Sequence, residues 1–317
     1  MQILVTRSLP GNALDNLALS AEIELWNETY PIPEYDLKKM IKGKDGLLCL
    51  LTDSINASIM DVAGDSLKII SNYAVGFNNI DLEAAKKRGI VVTNTPGVLT
   101  DATADLAWAL LFATARRIAE SDAYLRSGAW SGWDPSLMLG VDISGATLGI
   151  VGTGRIGAAF AMRSKGFNMK VVYTDEEPNE SLEKGLVAIR LPLDELLKTS
   201  DFISLHVPLL PATKHLIGER ELRLMKPTAI LINTSRGPVI DEEALAIALD
   251  KGIIRGAGLD VYEFEPTVNP MLLNQKNAVL LPHIASATNT TREKMAHMAV
   301  ENLIAFIKGE APPNRVV

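Results

Sequence analysis

The sequence contains one cysteine, Cys49, in 317 residues. A single thiol cannot form an intramolecular disulfide. This one lies inside the apolar run GLLCLL, the setting of a core residue rather than a nucleophile. Basic excess is also missing. Thirty-one lysines and arginines face 38 aspartates and glutamates, for a net charge of −7, and no block of cations interrupts that balance. This excludes the electrostatic footprint of a nucleic-acid-binding surface. No apolar stretch is long enough to cross a bilayer, for which about 20 residues are needed. The longest helix-like one is LAWALLFATA. The opening MQILVTR lacks the apolar region of a secretory leader and reads as a strand, so a reducing cytoplasm is the expected location. No membrane or nucleic-acid partner and no metal are expected.

What the sequence does have is alternation. Short apolar, β-branched runs (QILVT, EIELW, DGLLCLL, LKIISNYAV, GIVVTN) are interspersed with helix-like pieces such as NIDLEAAKKRG. From position 146 the series restarts with ATLGIVG, MKVVYTD, FISLHV, AILIN, IRGAGLDV and AVLLPH. Strands alternating with helices imply βαβ units and parallel sheets, and two series imply two α/β domains. The stretch from about Thr100 to Arg126 between them reads as one long helix. A final helix, TREKMAHMAVENLIAFIKG, ends in a glycine stop.

The segment ATLGIVGTGRIGAAFAMRSKG carries G-x-G-x-x-G at Gly152, Gly154 and Gly157, between a strand candidate and a helix candidate. The next strand candidate ends at Asp175, close to the spacing expected of the ribose-binding carboxylate. Gly152 permits the tight turn, Gly154 lets a pyrophosphate approach the backbone, and Gly157 lets helix and strand pack closely. The helix N-terminus then offers unpaired N–H groups to phosphate.

In INTSRGPVID an apolar run leads straight into Arg236, whose charge needs either a structural carboxylate or a bound anion. Ligands of open α/β sheets sit beyond the carboxyl ends of the strands. Three strand candidates bring charged or titratable side chains there: Arg236 after AILIN, Asp260 and Glu265 in GLDVYEFEP, and His283 in LLPHIASAT. Each has a plain structural reading as well, with His283 in the core and Glu265 pairing with Arg236. Their convergence on the rim that holds the dinucleotide favours chemistry.

These motifs resemble the D-2-hydroxyacid dehydrogenase family over nearly the whole chain. GTGRIG, SDFISLHVPL, LINTSRGPVID, GAGLDVYEFEP and LPHIASAT carry the resemblance, with SNYAVGFNNID and RGIVVTNTPGVLTDATADLA in the front half. Within the family the sequence is most similar to glyoxylate/hydroxypyruvate reductases, through MLLNQKNAVLLPHIASATNTTREKM and GAWSGWDPSLMLGVDISG. The resemblance implies a Rossmann cofactor domain, 100–286, inserted into a flavodoxin-like substrate domain made of 1–99 and 287–317, with the active site in the cleft between them. It places the catalytic arginine, glutamate and histidine on Arg236, Glu265 and His283. Cofactor contacts fall on Gly152, Thr153, Gly154, Arg155, Ile156, Gly157, Asp175, Val207, Pro208, Thr234, Ser235, Arg236, Asp260 and His283. Substrate contacts fall on Leu51, Val75, Gly76, Arg236, His283 and Ser286.

The implied reaction is reduction of glyoxylate or hydroxypyruvate, with hydride from nicotinamide and a proton from His283. Glu265 would accept a hydrogen bond from the other ring nitrogen, and Arg236 would bind the substrate carboxylate. Asp175, Glu176 and Glu177, with no cation along the chain before Lys184, imply a preference for NAD(H) over NADP(H). A homodimer built on the Thr100 helix and the WSGWDPSLMLG segment is expected, with Trp130 and Trp133 at the contact. Two rival functions share these motifs. One is a dehydrogenase for 3-phosphoglycerate or a larger 2-oxo acid, and the other is a nucleotide-sensing protein like the corepressors that resemble this family.

Overall fold

A computed structural model describes residues 1–317. The chain divides into two compact units, residues 1–99 with 286–317, and residues 100–285.

In the first unit β1 (Gln2–Val5), β2 (Glu22–Leu25), β3 (Gly46–Leu50), β4 (Ile69–Tyr73) and β5 (Val91–Thr93) form a parallel sheet in the order β2-β1-β3-β4-β5. That is the flavodoxin-like order. Burial follows sequence character. Interior strand β4 is buried throughout, whereas edge strand β2, EIEL, alternates between exposed and half-buried residues. Asn56 and Asp81 cap the helices Ala57–Ala63 and Leu82–Lys87 by accepting the N–H of Ile59 and Ala84. The last helix, Asn289–Ile307, lies on this sheet. Ser71 Oγ donates to the Ala299 carbonyl at 2.8 Å, and the Tyr73 hydroxyl donates to the Arg292 carbonyl at 2.8 Å.

The second unit holds β6 (Thr147–Val151), β7 (Lys170–Thr174), β8 (Ile189–Arg190), β9 (Phe202–Leu205), β10 (Ile230–Asn233), β11 (Gly256–Leu259) and β12 (Ala278–Leu280). The parallel order is β12-β11-β10-β9-β6-β7-β8. It contains the doubly wound Rossmann arrangement, extended by one strand, with its switch point between β6 and β9.

Two differences from the sequence reading matter. The expected single helix over Thr100–Arg126 is two, Thr100–Ala115 and Ile118–Arg126, separated by Arg117 in a left-handed conformation (φ 54°). Arg117 pairs with Glu120 through two bonds of 2.8 Å, which ties the break to the second helix. The first helix is held by Trp108, stacked on Phe160 and Phe167 at centroid distances of 5.0 and 5.2 Å. The second difference is β8, which no apolar run announced. Its two residues are both exposed.

Candidate active site

The glycine loop between β6 and the helix Arg155–Arg163 is built by close approach. Gly152 has φ 89°, and a Cβ there would sit 2.8 Å from Val207 Cγ1 and 2.9 Å from the His206 carbonyl carbon. A Cβ on Gly157 would collide with the Gly152 carbonyl oxygen. Beside Gly154, by contrast, a Cβ would meet nothing within 4 Å. Gly154 is also the N-cap of that nine-residue helix and has no side chain to cap it. The loop is thus packed tightly from beneath and open at Gly154, the side from which a pyrophosphate would meet the N–H groups of the first turn. These residues fit a dinucleotide.

Asp175 follows β7 and reaches this loop. Its Oδ2 accepts the Thr153 N–H at 2.6 Å and the Thr153 hydroxyl at 2.7 Å, and its Oδ1 accepts the Glu176 N–H at 2.7 Å. Burial works against its charge. Those donors and the Arg190 guanidinium outweigh it and hold the carboxyl below its ordinary range. Arg190 is the consequence of β8. It donates to the Asp175 carbonyl at 2.8 Å and also to that of Glu176. A cation therefore stands beside the acidic stretch even though none precedes Lys184 along the chain.

Beyond β9 come His206, Val207 and Pro208. No motif in the sequence singles out His206. Its Nε2 hydrogen-bonds Ser204 Oγ at 2.8 Å, its ring packs on Phe160 at 5.1 Å, and burial pushes its pKa down to about 3.

Arg236 lies past β10 on a turn braced by buried Asn233. The Asn233 amide donates to the Arg236 carbonyl at 3.0 Å and accepts from the N–H and hydroxyl of Ser235 at 3.0 and 2.8 Å. Thr234 is buried in the same turn. Gly237, next in line, lies so close to the backbone of Tyr262 and Glu263 that no side chain would fit. This contact sets the Arg236 turn against the loop carrying Glu265. Burial lowers the Arg236 pKa, opposed by the charge of Glu265.

Glu265 accepts the Tyr262 N–H at 3.0 Å through Oε1 and hydrogen-bonds His283 Nδ1 at 2.7 Å through Oε2. Burial disfavours its charge. The His283 contact, the Tyr262 N–H and Arg236 together overcome this and leave its pKa lowered. His283 has φ 54°, a left-handed backbone uncommon for a residue with a side chain. Asp260, fully buried at the end of β11, accounts for it. Its two carboxylate oxygens accept the N–H groups of Ile284 at 2.7 Å and Ala285 at 2.8 Å, which fastens the His283 turn. Burial pushes Asp260 up, against those N–H groups and His283.

Arg236, Glu265, His283 and Asp260 are therefore linked on one rim, at the ends of β10, β11 and β12. A cavity of about 830 Å³ among Arg117, Tyr124, Met138 and Arg255 shares no residue with them. Of the remaining expected residues, Leu51 follows β3, Val75 and Gly76 follow β4, and Ser286 precedes the last helix, all in the first unit. The rim can hold an anion at Arg236 and move a proton at the imidazole that Glu265 orients.

A family model described as D-isomer specific 2-hydroxyacid dehydrogenase, NAD binding domain, matches residues 108–285. The glyoxylate reductase of Thermococcus litoralis is 53% identical, covering 99% of this chain and 96% of its own. A crystal structure of a protein from Thermus thermophilus is 50% identical and superposes with a TM-score of 0.94, covering 100% of both chains. An NADPH-dependent glyoxylate/hydroxypyruvate reductase of Sinorhizobium meliloti, solved with NADP and malonate, is 34% identical with a TM-score of 0.87, covering 100% of this chain and 96% of that one.

Proposed function

This chain belongs to the D-isomer specific 2-hydroxyacid dehydrogenase family, and on that premise we propose that it reduces glyoxylate or hydroxypyruvate to the 2-hydroxy acid with NADH. The observation that carries the proposal is the 2.7 Å Glu265–His283 pair on the same rim as Arg236. Reduction needs a hydride at C2 and a proton at the carbonyl oxygen. Reduced nicotinamide, when bound, supplies the hydride. His283 delivers the proton from the ring nitrogen that Glu265 does not occupy, and the Glu265 carboxylate stabilises the protonated ring. Arg236 grips the substrate carboxylate with bidentate geometry and polarises the neighbouring carbonyl. Leu51, Val75, Gly76 and Ser286 complete the substrate contacts.

Cofactor contacts fall on the 152–157 loop, Asp175, Val207, Pro208 and the Thr234–Arg236 turn, with Asp260 acting through the turn of His283. The preference for NADH rests on Asp175, ionised at the end of β7 and followed by the exposed Glu176 and Glu177. A 2′-phosphate there would meet like charge, with Arg190 as the opposing cation. The protein works as a homodimer in the cytoplasm. Trp130 and Trp133, 53% and 84% exposed, are large apolar surfaces for a second copy to cover. No helix is long and apolar enough to cross a membrane.

A panel of glyoxylate, hydroxypyruvate, phenylpyruvate and 3-phosphohydroxypyruvate, assayed with NADH and with NADPH, tests this reading. The highest kcat/KM is expected for glyoxylate or hydroxypyruvate with NADH. Failure to reduce any 2-oxo acid would leave a dinucleotide-binding protein instead.

A further inference from the structure

Three consecutive carbonyls after β4 are tied back within the first unit. The Ala74 oxygen accepts the Thr95 N–H at 2.9 Å, the Val75 oxygen accepts the Asn94 side-chain amide at 2.8 Å, and the Gly76 oxygen accepts the Asn72 side-chain amide at 2.9 Å. In a planar trans peptide the C=O of one residue and the N–H of the next point in opposite directions. The N–H groups of Val75, Gly76 and Phe77 must therefore point away from Thr95, Asn94 and Asn72 respectively. None of the three donates to a protein acceptor. Val75 and Gly76 are only half-buried and Phe77 is exposed, so a ligand can reach this backbone.

The two asparagines are themselves held firmly. Asn72 is fully buried, a costly place for an amide unless every group is paired. Its amide makes a reciprocal pair with Asn79 at 3.2 and 3.3 Å, and its oxygen also accepts from the Cys49 thiol at 3.6 Å. Asn79 in turn donates to the carbonyls of Leu50 and Asp53 at 3.1 and 3.2 Å. The Asn94 backbone is fixed by Asn302 and Asn314, each at 3.2 Å. Successive backbone N–H groups without a protein acceptor are the donors from which anion-binding concavities are built.

We propose that Asn72 and Asn94 are positioning residues for the substrate carboxylate, which hold the Gly76 and Val75 carbonyls so that the Phe77 and Gly76 N–H groups stay turned toward the anion. This rests on the reading of Val75 and Gly76 as substrate contacts and extends it by one residue, to the Phe77 N–H. Neither asparagine touches substrate. Each acts through the peptide plane it restrains.

The test uses the full-length enzyme with saturating NADH and oxamate as an inert carboxylate probe. In the unmodified enzyme oxamate should slow amide exchange in the peptide covering residues 75–77; no slowing would overturn the carboxylate assignment itself. Given that protection, Asn94→Ala and Asn94→Asp should raise the oxamate inhibition constant and the glyoxylate KM by about tenfold to hundredfold, the worth of one charge-assisted hydrogen bond. The kcat should change much less, and the NADH dissociation constant should not move. Asn94→Ser, which keeps a donor at the position, should fall between these and the unmodified enzyme, and it serves if the other variants fold poorly. Exchange protection with an unchanged inhibition constant in folded Asn94 variants would overturn the positioning role alone. A parallel loss of NADH affinity would also overturn it, because a general structural defect would then explain the effect.

Discussion

Gly237→Ala is the smallest change that should disable the rim while leaving the fold in place. A Cβ at 237 would lie inside the van der Waals radii of the Tyr262 carbonyl carbon and oxygen, and 2.5 Å from Glu263 N. Real Cβ atoms essentially never come within 3.0 Å of another heavy atom, so even Glu263 N must recede by 0.5 Å (3.0 minus 2.5), and the Tyr262 carbonyl by more. All the colliding atoms are backbone, so no side chain can swing aside. The displaced segment carries the Tyr262 N–H that holds Glu265, two residues before the carboxylate that holds His283. Glu242 resists the shift, because its buried carboxylate accepts the N–H groups of Glu263 at 2.7 Å and Asn269 at 2.6 Å. A misplacement of about 1 Å among reacting groups costs about 10²-fold, so kcat/KM for glyoxylate should fall by about that factor. Overpacking costs about 1–3 kcal/mol. In a unit of this size each kcal/mol lowers Tm by about 2–4 °C, which gives a loss of about 2–12 °C. Steady-state kinetics and a thermal melt on the same preparation measure both. A variant with near-normal kcat/KM would show that the approach of these two backbones does not set the catalytic geometry.

His283→Ala should lower kcat by about 10²–10⁴-fold with little change in KM, whereas Arg236→Ala should raise KM as well as lower kcat. Steady-state kinetics separate the two, and near-normal turnover of the histidine variant would remove it from the mechanism. NADH should exceed NADPH by about tenfold or more in kcat/KM, since even a quarter of a close like-charge contact of about 4 kcal/mol approaches that ratio. Asp175→Ala should narrow the gap and Arg190→Ala should widen it; equal use of both cofactors by the unmodified enzyme would refute the reading. Sedimentation at micromolar concentration should give a dimer, and Trp133→Ser should weaken it. Acid should begin to destabilise the cofactor-free protein well above the carboxylate range. His206 has a depressed pKa in the fold, so its contribution is full above the unfolded histidine value of about 6.5. It falls by up to about 1.4 kcal/mol per pH unit as the pH drops toward about 3. Melts from pH 7 to 5 should show a shallower decline for His206→Asn than for the unmodified protein.

All strands but β8 are legible, most of them because buried parallel strands are written as continuous apolar runs; AILIN and GLLCL need no partner to be recognised. The rim residues were legible for a related reason. Arg236 and His283 lie within three residues of a strand end, so finding the strands also finds the candidates. Strand β8 has only two exposed residues and no such run. Because that strand carries Arg190 to Asp175, the electrostatic setting of the acidic stretch in the fold differs from the one its neighbours along the chain imply. The helix break at Arg117 carries no glycine or proline to announce it.

What stayed invisible has one physical character, which is support of the turns that carry the candidate residues. Asp260 reads in the sequence as another rim carboxylate, yet both its oxygens are taken by N–H groups 24 and 25 residues away. Asn233 ends β10 and Asn72 is the penultimate residue of β4, and each braces a turn through its amide. A buried amide or carboxylate costs free energy unless it is bonded, so its presence at a strand end does signal that something nearby must be held. Asn233 and Asn72 hold turns three and four residues further along the chain, whereas the turn that Asp260 holds depends on which segment the topology returns to that strand end, and local pattern does not encode that. The side chains proposed to touch substrate sit near strand ends, where local sequence can place them, whereas the carboxylate that fastens the His283 turn is placed by the fold. Substitutions at Gly237 and Asp260 should therefore lower turnover much as loss of the proposed reacting residues would, whereas those at Asn72 and Asn94 should act mainly on KM.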